Sequence, residues 1–97
     1  MTQQIQPTQI GNNTANQLLV KIYTPSMTET QCEVYCYLVD TTQTTSYVSK
    51  DNISETLPYK FLKMDKHTFT ENNLDLIKQD ENNALSIAAN LLNVTLI

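Results

Sequence analysis

The chain has 97 residues and a mass of 11.0 kDa, which suits one domain with a single hydrophobic core. It contains six lysines, no arginine and ten acidic residues, for a formal net charge of -4. This balance argues against nucleic-acid and anionic-membrane binding, because both need clustered cations. No apolar run approaches the roughly 20 residues of a spanning helix, and the first residues lack the regions of an export signal. We therefore expect a soluble protein made in a cytoplasm.

The first seventeen residues differ from the rest of the chain. They carry no charged side chain, little apolar content and the only glycine, Gly11. This composition predicts an extended Gln/Asn/Thr-rich N-terminal arm over residues 1–17, followed by one domain over residues 18–97. The arm is either a frayed terminus or a segment that pairs with a neighbouring subunit. In the second case its candidate interaction residues are Gln3, Gln4, Gln6 and Gln9.

Alternating apolar residues predict strands beyond the arm. The predicted strands cover residues 16–24, 30–40, 46–50 and 59–64, separated by connections at 25–28, 40–45 and 51–55. Strict alternation in the last strand places Tyr59 and Phe61 on one face and Leu62 and Met64 on the other. The longest strand has a second face with tyrosines in place of charges. We expect that face to be covered by a helix of the same chain, which is favoured, by another sheet or by a partner protein.

The apolar period changes after Met64. Thr68 and Glu71 match a capping box, which predicts a helix over residues 69–78. Asp80 is placed to cap a second helix. That helix has a polar stripe and a wide apolar face, and it ends at Asn93, before a closing strand at 94–97. The expected fold is α+β, a small antiparallel sheet of four to five strands with two C-terminal helices packed on one face.

No residue pattern indicates catalysis or metal binding. Cys32 and Cys36 lie four residues apart on a predicted strand, a separation of about 13 Å that is too long for a disulfide, so we expect both to be buried and reduced. His67, the only histidine, lies with Asp65 and Lys66 in a predicted polar connection without a nucleophile or further ligands. A single glycine excludes a phosphate-binding loop. We expect no enzyme activity, catalytic residue, cofactor, metal or small-molecule substrate.

All five tyrosines fall on predicted strands. They are Tyr23, Tyr35, Tyr37, Tyr47 and Tyr59. Tyrosine is enriched at protein interfaces because it buries a large area and keeps a polar hydroxyl. The tyrosines are therefore candidate interaction residues, and ordinary sheet packing with hydroxyls at the rim is the alternative.

The C-terminal third, over residues 68–97, carries a family resemblance. A threonine-led short helix is followed by a helix with the order Asp, Asn, hydrophobic, Ala-Ala, Leu, and by a terminal Leu-x-Val-Thr-Leu strand. This pattern resembles small structural proteins of tailed bacteriophages, although the tryptophan and glycine expected near the helix junction are absent here. The resemblance carries over no catalytic residue.

The resemblance implies a virion protein that is made in the host cytoplasm and present in many copies. Its expected partners are other virion proteins and copies of itself, and its expected place is an accessory capsid protein or a ring of the head-tail connector or tail. A second hypothesis is a small phage-encoded intracellular protein that binds and inhibits a host protein through the acidic residues between Glu71 and Glu81.

Overall fold

The structure is a computed structural model that describes residues 1–23 and 30–97. Its elements are β1 (Thr2–Ile10), β2 (Asn13–Tyr23), β3 (Cys32–Asp40), β4 (Thr45–Val48), β5 (Ser54–Leu57), β6 (Lys60–Phe69), α1 (Glu71–Gln79) and α2 (Asn83–Leu92). Thr24 and the connection predicted at residues 25–28 lie outside the described residues.

The main sheet is antiparallel and has the strand order β1-β2-β3-β6. Residues that are paired across neighbouring strands point to the same face of a sheet. One face therefore carries alternate residues of β2 and β3 that are almost fully buried. They are Leu18, Val20, Cys32, Val34, Cys36 and Leu38.

Both helices pack on this buried face. Leu74 and Ile77 of α1 and Ala84 and Ala88 of α2 belong to the same core cluster as the buried residues of β2 and β3. The buried side of α2 consists of the small residues Ala84, Ala88 and Ala89 together with Leu85. The predicted α+β class, with an antiparallel sheet and two C-terminal helices on one face, is confirmed.

Residues 1–17 are part of the sheet and do not form an extended arm. They supply β1 and the start of β2, which form a hairpin through Gly11, a residue at φ 60° where glycine is favoured. Ile5 is 1% exposed and Ala15 is fully buried, and both belong to the core cluster. Polar residues fit here because β1 exposes most of its side chains, so low apolar content did not mean an absence of structure.

The C-terminal residues lie along the outer edge of β1. The predicted closing strand over 94–97 is reduced to a single antiparallel bridge between Ile5 and Leu96. Two backbone bonds flank that bridge, from Gln6 N–H to the Thr95 carbonyl at 2.8 Å and from Ile97 N–H to the Gln4 carbonyl at 3.0 Å. The two ends of the described chain therefore stabilise each other.

The segment between β3 and β6 forms a separate hairpin. Strands β4 and β5 pair with each other in a two-stranded sheet of their own, so the predicted strand at 46–50 is not in the main sheet, and residues 54–55 are strand where a turn was predicted. Val48 and Ile53 near its tip are 66% and 57% exposed. Six of the eight strand residues of this hairpin are exposed, so the rest of the domain covers it little.

Strand β6 is longer than predicted and contains an irregularity. It continues through Asp65 and His67 to Phe69, so the predicted polar connection is an edge strand, where charged residues are common. The register with β3 shifts between Leu38 and Val39, which leaves Leu62 as an extra residue. Because of this bulge, Phe61 and Met64 share a face, contrary to the strict alternation expected from the sequence.

The helix ends agree in part with the predictions. The predicted capping box of Thr68 and Glu71 does not form, because Thr68 still belongs to β6. The N-cap residue of α1 is Thr70, whose side chain makes no capping hydrogen bond. The N-cap residue of α2 is Asn82 and not Asp80 as predicted, and Asp80 instead accepts a hydrogen bond from the Asn82 N–H at 3.0 Å, in the turn before the helix. Asn93 has a left-handed conformation, φ 56° and ψ 41°, and ends α2 as predicted.

Candidate interaction surface

The sheet face opposite the helices is lined by aromatic residues and lysines. Strand register places Lys21, Tyr35 and Lys66 in one row across β2, β3 and β6, and Leu19, Tyr37 and Met64 in the next. We call this surface the open face. It comprises Lys21, Tyr23, Glu33, Tyr35, Tyr37, Phe61, Met64 and Lys66.

Aromatic rings form two groups on the open face. Tyr23 and Tyr35 make a T-shaped contact with 6.2 Å between ring centroids. Phe61 lies between Tyr37 and Tyr59, with 5.1 Å between centroids in each case. Such ring pairs hold the side chains in defined orientations, so the open face is a pre-ordered surface.

The two lysines lie over the rings. Lys21 Nζ is 5.9 Å from the centroid of Tyr37, and Lys66 Nζ is 5.8 Å from that of Tyr35. Lys66 also pairs with Glu33 at 3.3 Å, and this hydrogen bond raises the pKa of the Lys66 ammonium. The open face therefore combines apolar area with positive charge.

Part of this face is buried by its own residues and part remains accessible. Leu19 and Val39 lie beneath the aromatic side chains and are buried. Burial raises the pKa of the Tyr37 hydroxyl, with the neighbouring Tyr35 as the second cause. By contrast, Tyr23 is 51% exposed and Met64 is 56% exposed. The prediction that a helix of the same chain covers this face is wrong, because both helices pack on the other face of the sheet.

The structure brings four of the five predicted tyrosines to this surface. Tyr23, Tyr35 and Tyr37 lie on it, and Tyr59 joins it through Phe61. Tyr59 lies in the connection before β6 and not on a strand. Tyr47 is on the β4–β5 hairpin, where its hydroxyl donates to Glu55, and this bond raises the pKa of Tyr47.

The four predicted glutamines lie on β1 and do not form one cluster. Gln3 donates from Nε2 to the Ile97 carbonyl at 2.7 Å, and Gln9 donates to the Gly11 carbonyl at 2.9 Å. Gln4 is exposed and lies in the row of Gln17, on the side of the open face. Gln6 is exposed within the irregular part of β1. Two of the glutamine side chains are thus engaged within the chain itself.

Sequence reasoning missed Lys21, Phe61, Met64 and Lys66. The two lysines were visible as members of strands, but only the register shows that each stands beside a tyrosine. Phe61 and Met64 were assigned to opposite faces, and the bulge at Leu62 brings them together. A bulge has no reliable signal in a single strand, because it depends on the partner strand.

A second, polar site lies at the end of β3. A cavity of about 350 Å³ is lined by Pro7, Asn12, Asn13, Thr14, Asn16, Asp40, Thr42 and Gln43. Asp40 is only 5% exposed, and its carboxylate accepts bonds from Thr42 N–H, Thr42 Oγ1 and Gln43 Nε2 at 2.9, 2.6 and 2.7 Å. These bonds lower the pKa of Asp40. Its carboxylate is therefore occupied in closing the turn after β3.

The reactive residue types of the chain are dispersed or buried. Within residues 1–23 and 30–97, no group of three or more His, Cys, Asp or Glu residues is placed to hold a metal ion. Cys32 and Cys36 are free thiols in the core, and burial raises the pKa of Cys36 to about 11. His67 stacks on Phe69, and its Nε2 is buried without a hydrogen-bond partner. Neither described helix is long and apolar enough to cross a bilayer.

Comparison with protein families, characterised proteins and solved structures finds no match to this chain. The resemblance of residues 68–97 to small phage structural proteins therefore stays a prediction from the sequence. Among the described residues, the open face combines ring contacts between aromatic side chains with the exposed side chains of Tyr23 and Met64.

Proposed function

We propose that this protein is a non-enzymatic structural protein of a tailed-bacteriophage virion, either an accessory capsid protein or a ring protein of the head-tail connector or tail. It acts through subunit contacts, and the open face is its main contact surface. The partners are other virion proteins and copies of the same chain.

The observation that carries this proposal is the accessible aromatic surface on one side of a two-layer domain. Tyr, Phe and Met are the residue types enriched at protein interfaces, and they adjoin one another here. An exposed apolar patch on a folded domain is typical of a binding surface. The cavity at Asp40 is a weaker candidate for a binding site, because the Asp40 carboxylate already accepts hydrogen bonds from neighbouring donors.

The first test is quantitative mass spectrometry of purified particles from the source. Abundance close to that of the major shell protein indicates an accessory capsid protein, and abundance close to that of the portal indicates a connector or tail ring. Absence from particles refutes the proposal.

The role of the open face is tested by incorporation of variants. Tyr23→Ser combined with Met64→Gln changes two side chains that are more than half exposed, so folding is expected to persist. We expect this variant to be depleted from particles. Val48→Thr, which alters an equally exposed residue of the hairpin, is the matched control. Equal incorporation of both variants contradicts a role of the open face.

A second candidate function is inhibition of a host protein by a small intracellular binder. Glu71, Asp75, Asp80 and Glu81 are all exposed on the helical side of the domain, and Lys78 is the one base of residues 71–97. Such a surface suits a basic target. Binding of this kind weakens steeply with salt. Association with a host protein that is insensitive to salt, or no association with any host protein, rules this candidate out.

A further inference from the structure

The two broad sides of the domain have opposite chemistry. The described residues form a flat body of 38 × 35 × 19 Å, with the sheet on one side and the helices on the other. The open face presents Lys21 and Lys66, whereas Lys60 and Lys63 of β6 pair with Asp40 and Leu38 and therefore lie on the other face of the sheet. Two of the six lysines therefore lie on the open face, where Lys66 is paired with Glu33 and Lys21 adds a positive charge.

The exposed side of α1 and of its connection to α2 is acidic, with four carboxylates and one lysine, Lys78, whereas the exposed residues of α2 carry no charge. We call this the acidic helix surface, and it consists of the exposed residues Glu71, Asp75, Asp80 and Glu81. Leu76 is also exposed there, beside Asp75. Carboxylates next to an exposed leucine complement lysines next to exposed aromatic rings, in both charge and polarity.

We infer that copies of this chain associate head to tail, with the acidic helix surface of one copy docked on the open face of the next. This inference deepens the proposed function, on which it rests, by naming the occupant of the open face. Contact between two open faces is disfavoured, because it brings Lys21 and Lys66 of both copies together with only Glu33 to offset them. A head-to-tail contact joins two different patches, so it propagates into a ring or a filament.

The geometry sets the form of the assembly. Docking through the broad sides stacks the domains along their short dimension, in which the Cα atoms span 19 Å. These sides are also the largest surfaces available, which matters because a stable interface needs about 800 Å² from each partner. The main sheet and both helices then carry the contacts, and the β4–β5 hairpin stays at the rim.

The test uses two double variants of the full chain, each of which changes the charges of one of the two surfaces. The first is Lys21→Glu with Lys66→Gln, since a glutamate at position 66 would face Glu33. The second is Asp75→Lys with Glu81→Lys. The matched controls are Lys50→Glu and Asp51→Lys, which reverse exposed charges on the hairpin. Sedimentation velocity over a concentration series, at low and at high salt, measures association.

We expect the wild type and both controls to form oligomers that weaken with salt, and each double variant to associate about tenfold or more weakly. The decisive sample is an equimolar mixture of the two double variants. It is expected to form at least a 1:1 dimer, because each variant retains the patch that the other lacks, and the two altered patches are themselves opposite in charge.

Three results overturn the inference. The first is a wild type that stays monomeric at low salt, and the second is a mixture of the two double variants without the 1:1 dimer. The third is a variant Asp75→Lys with Glu81→Lys that dimerises as strongly as the wild type, which indicates contact between two open faces. If the open-face variant does not fold by circular dichroism, Lys21→Gln replaces it. If the protein is present in particles but monomeric in solution, this inference is refuted and the proposed function stands. If the protein oligomerises in solution but is absent from particles, the proposed function is refuted and the head-to-tail contact stands.

Discussion

Strand β1 is predicted to be essential for folding, and Ile5→Ala tests this. The Ile5 side chain is 1% exposed, belongs to the core cluster, and lies at the bridge to Leu96. Truncation of a fully buried isoleucine to alanine costs about 2 to 5 kcal/mol, because buried contacts are lost and a cavity remains. A domain of this size has a free energy of unfolding of about 5 to 15 kcal/mol. The variant is therefore expected to lose a large part of its stability.

The assay is equilibrium denaturation in urea, followed by circular dichroism. Ile5→Ala is expected to lower the midpoint without changing the slope, and to lower Tm by at least about 8 °C, given about 2 kcal/mol or more and about 4 to 8 °C per kcal/mol for such domains. Ile53→Ala is the matched control, because Ile53 is 57% exposed on the hairpin, and it is expected to change stability by less than about 0.5 kcal/mol. Equal midpoints for the two variants refute the reasoning.

The same argument applies to removal of residues 1–17. Interpreted as an arm, this segment should be dispensable for folding. In the structure its removal deletes β1 and the start of β2, with Ile5 and Ala15 of the core. We expect the truncated chain to be unfolded by circular dichroism, and a cooperative unfolding transition of that chain would contradict the placement of β1 in the core.

The remaining predictions concern single side chains. Cys32 and Cys36 are buried, so we expect a thiol reagent to label them slowly in the native protein and rapidly in urea. Because burial raises the pKa of Cys36 from 9.0 to about 11, its contribution to stability is complete below pH 9 and is lost as the pH rises towards 11. Cys36→Ala is expected to flatten that decline in a pH series of urea midpoints. Hydrogen bonds lower the pKa of Asp40 from 3.8, so its contribution is complete well above that pH and is lost as the pH falls through the lowered value. Asp40→Asn is expected to reduce stability at neutral pH and to approach the wild type in acid, and a constant difference would contradict this. Asn93 is left-handed, so Asn93→Ala is expected to lower the free energy of unfolding by about 1 kcal/mol and Asn93→Gly to preserve or raise it, as measured by thermal denaturation.

Much of the local structure was predictable from the sequence. Alternation in β2 and β3 identified both strands and the buried face with Cys32 and Cys36, because period-two burial is a local property of each strand. The apolar period of α2 and its end at Asn93 were likewise predictable, since helix propensity and the left-handed cap depend on nearby residues. The class of fold and the presence of tyrosines at a sheet surface followed from these elements.

Only the tertiary structure decided how these elements combine. Strand β1 is polar, and its position in the sheet depends on pairing with β2 and with the residues around Leu96. The residues around Leu96 are distant from β1 in the sequence. The bulge at Leu62 depends on the register with β3, and because of this bulge Phe61 and Met64 both lie on the open face. Which face the helices cover is likewise a matter of packing between distant segments. Local periodicity shows what each segment buries, whereas pairing across the sheet decides which side chains meet.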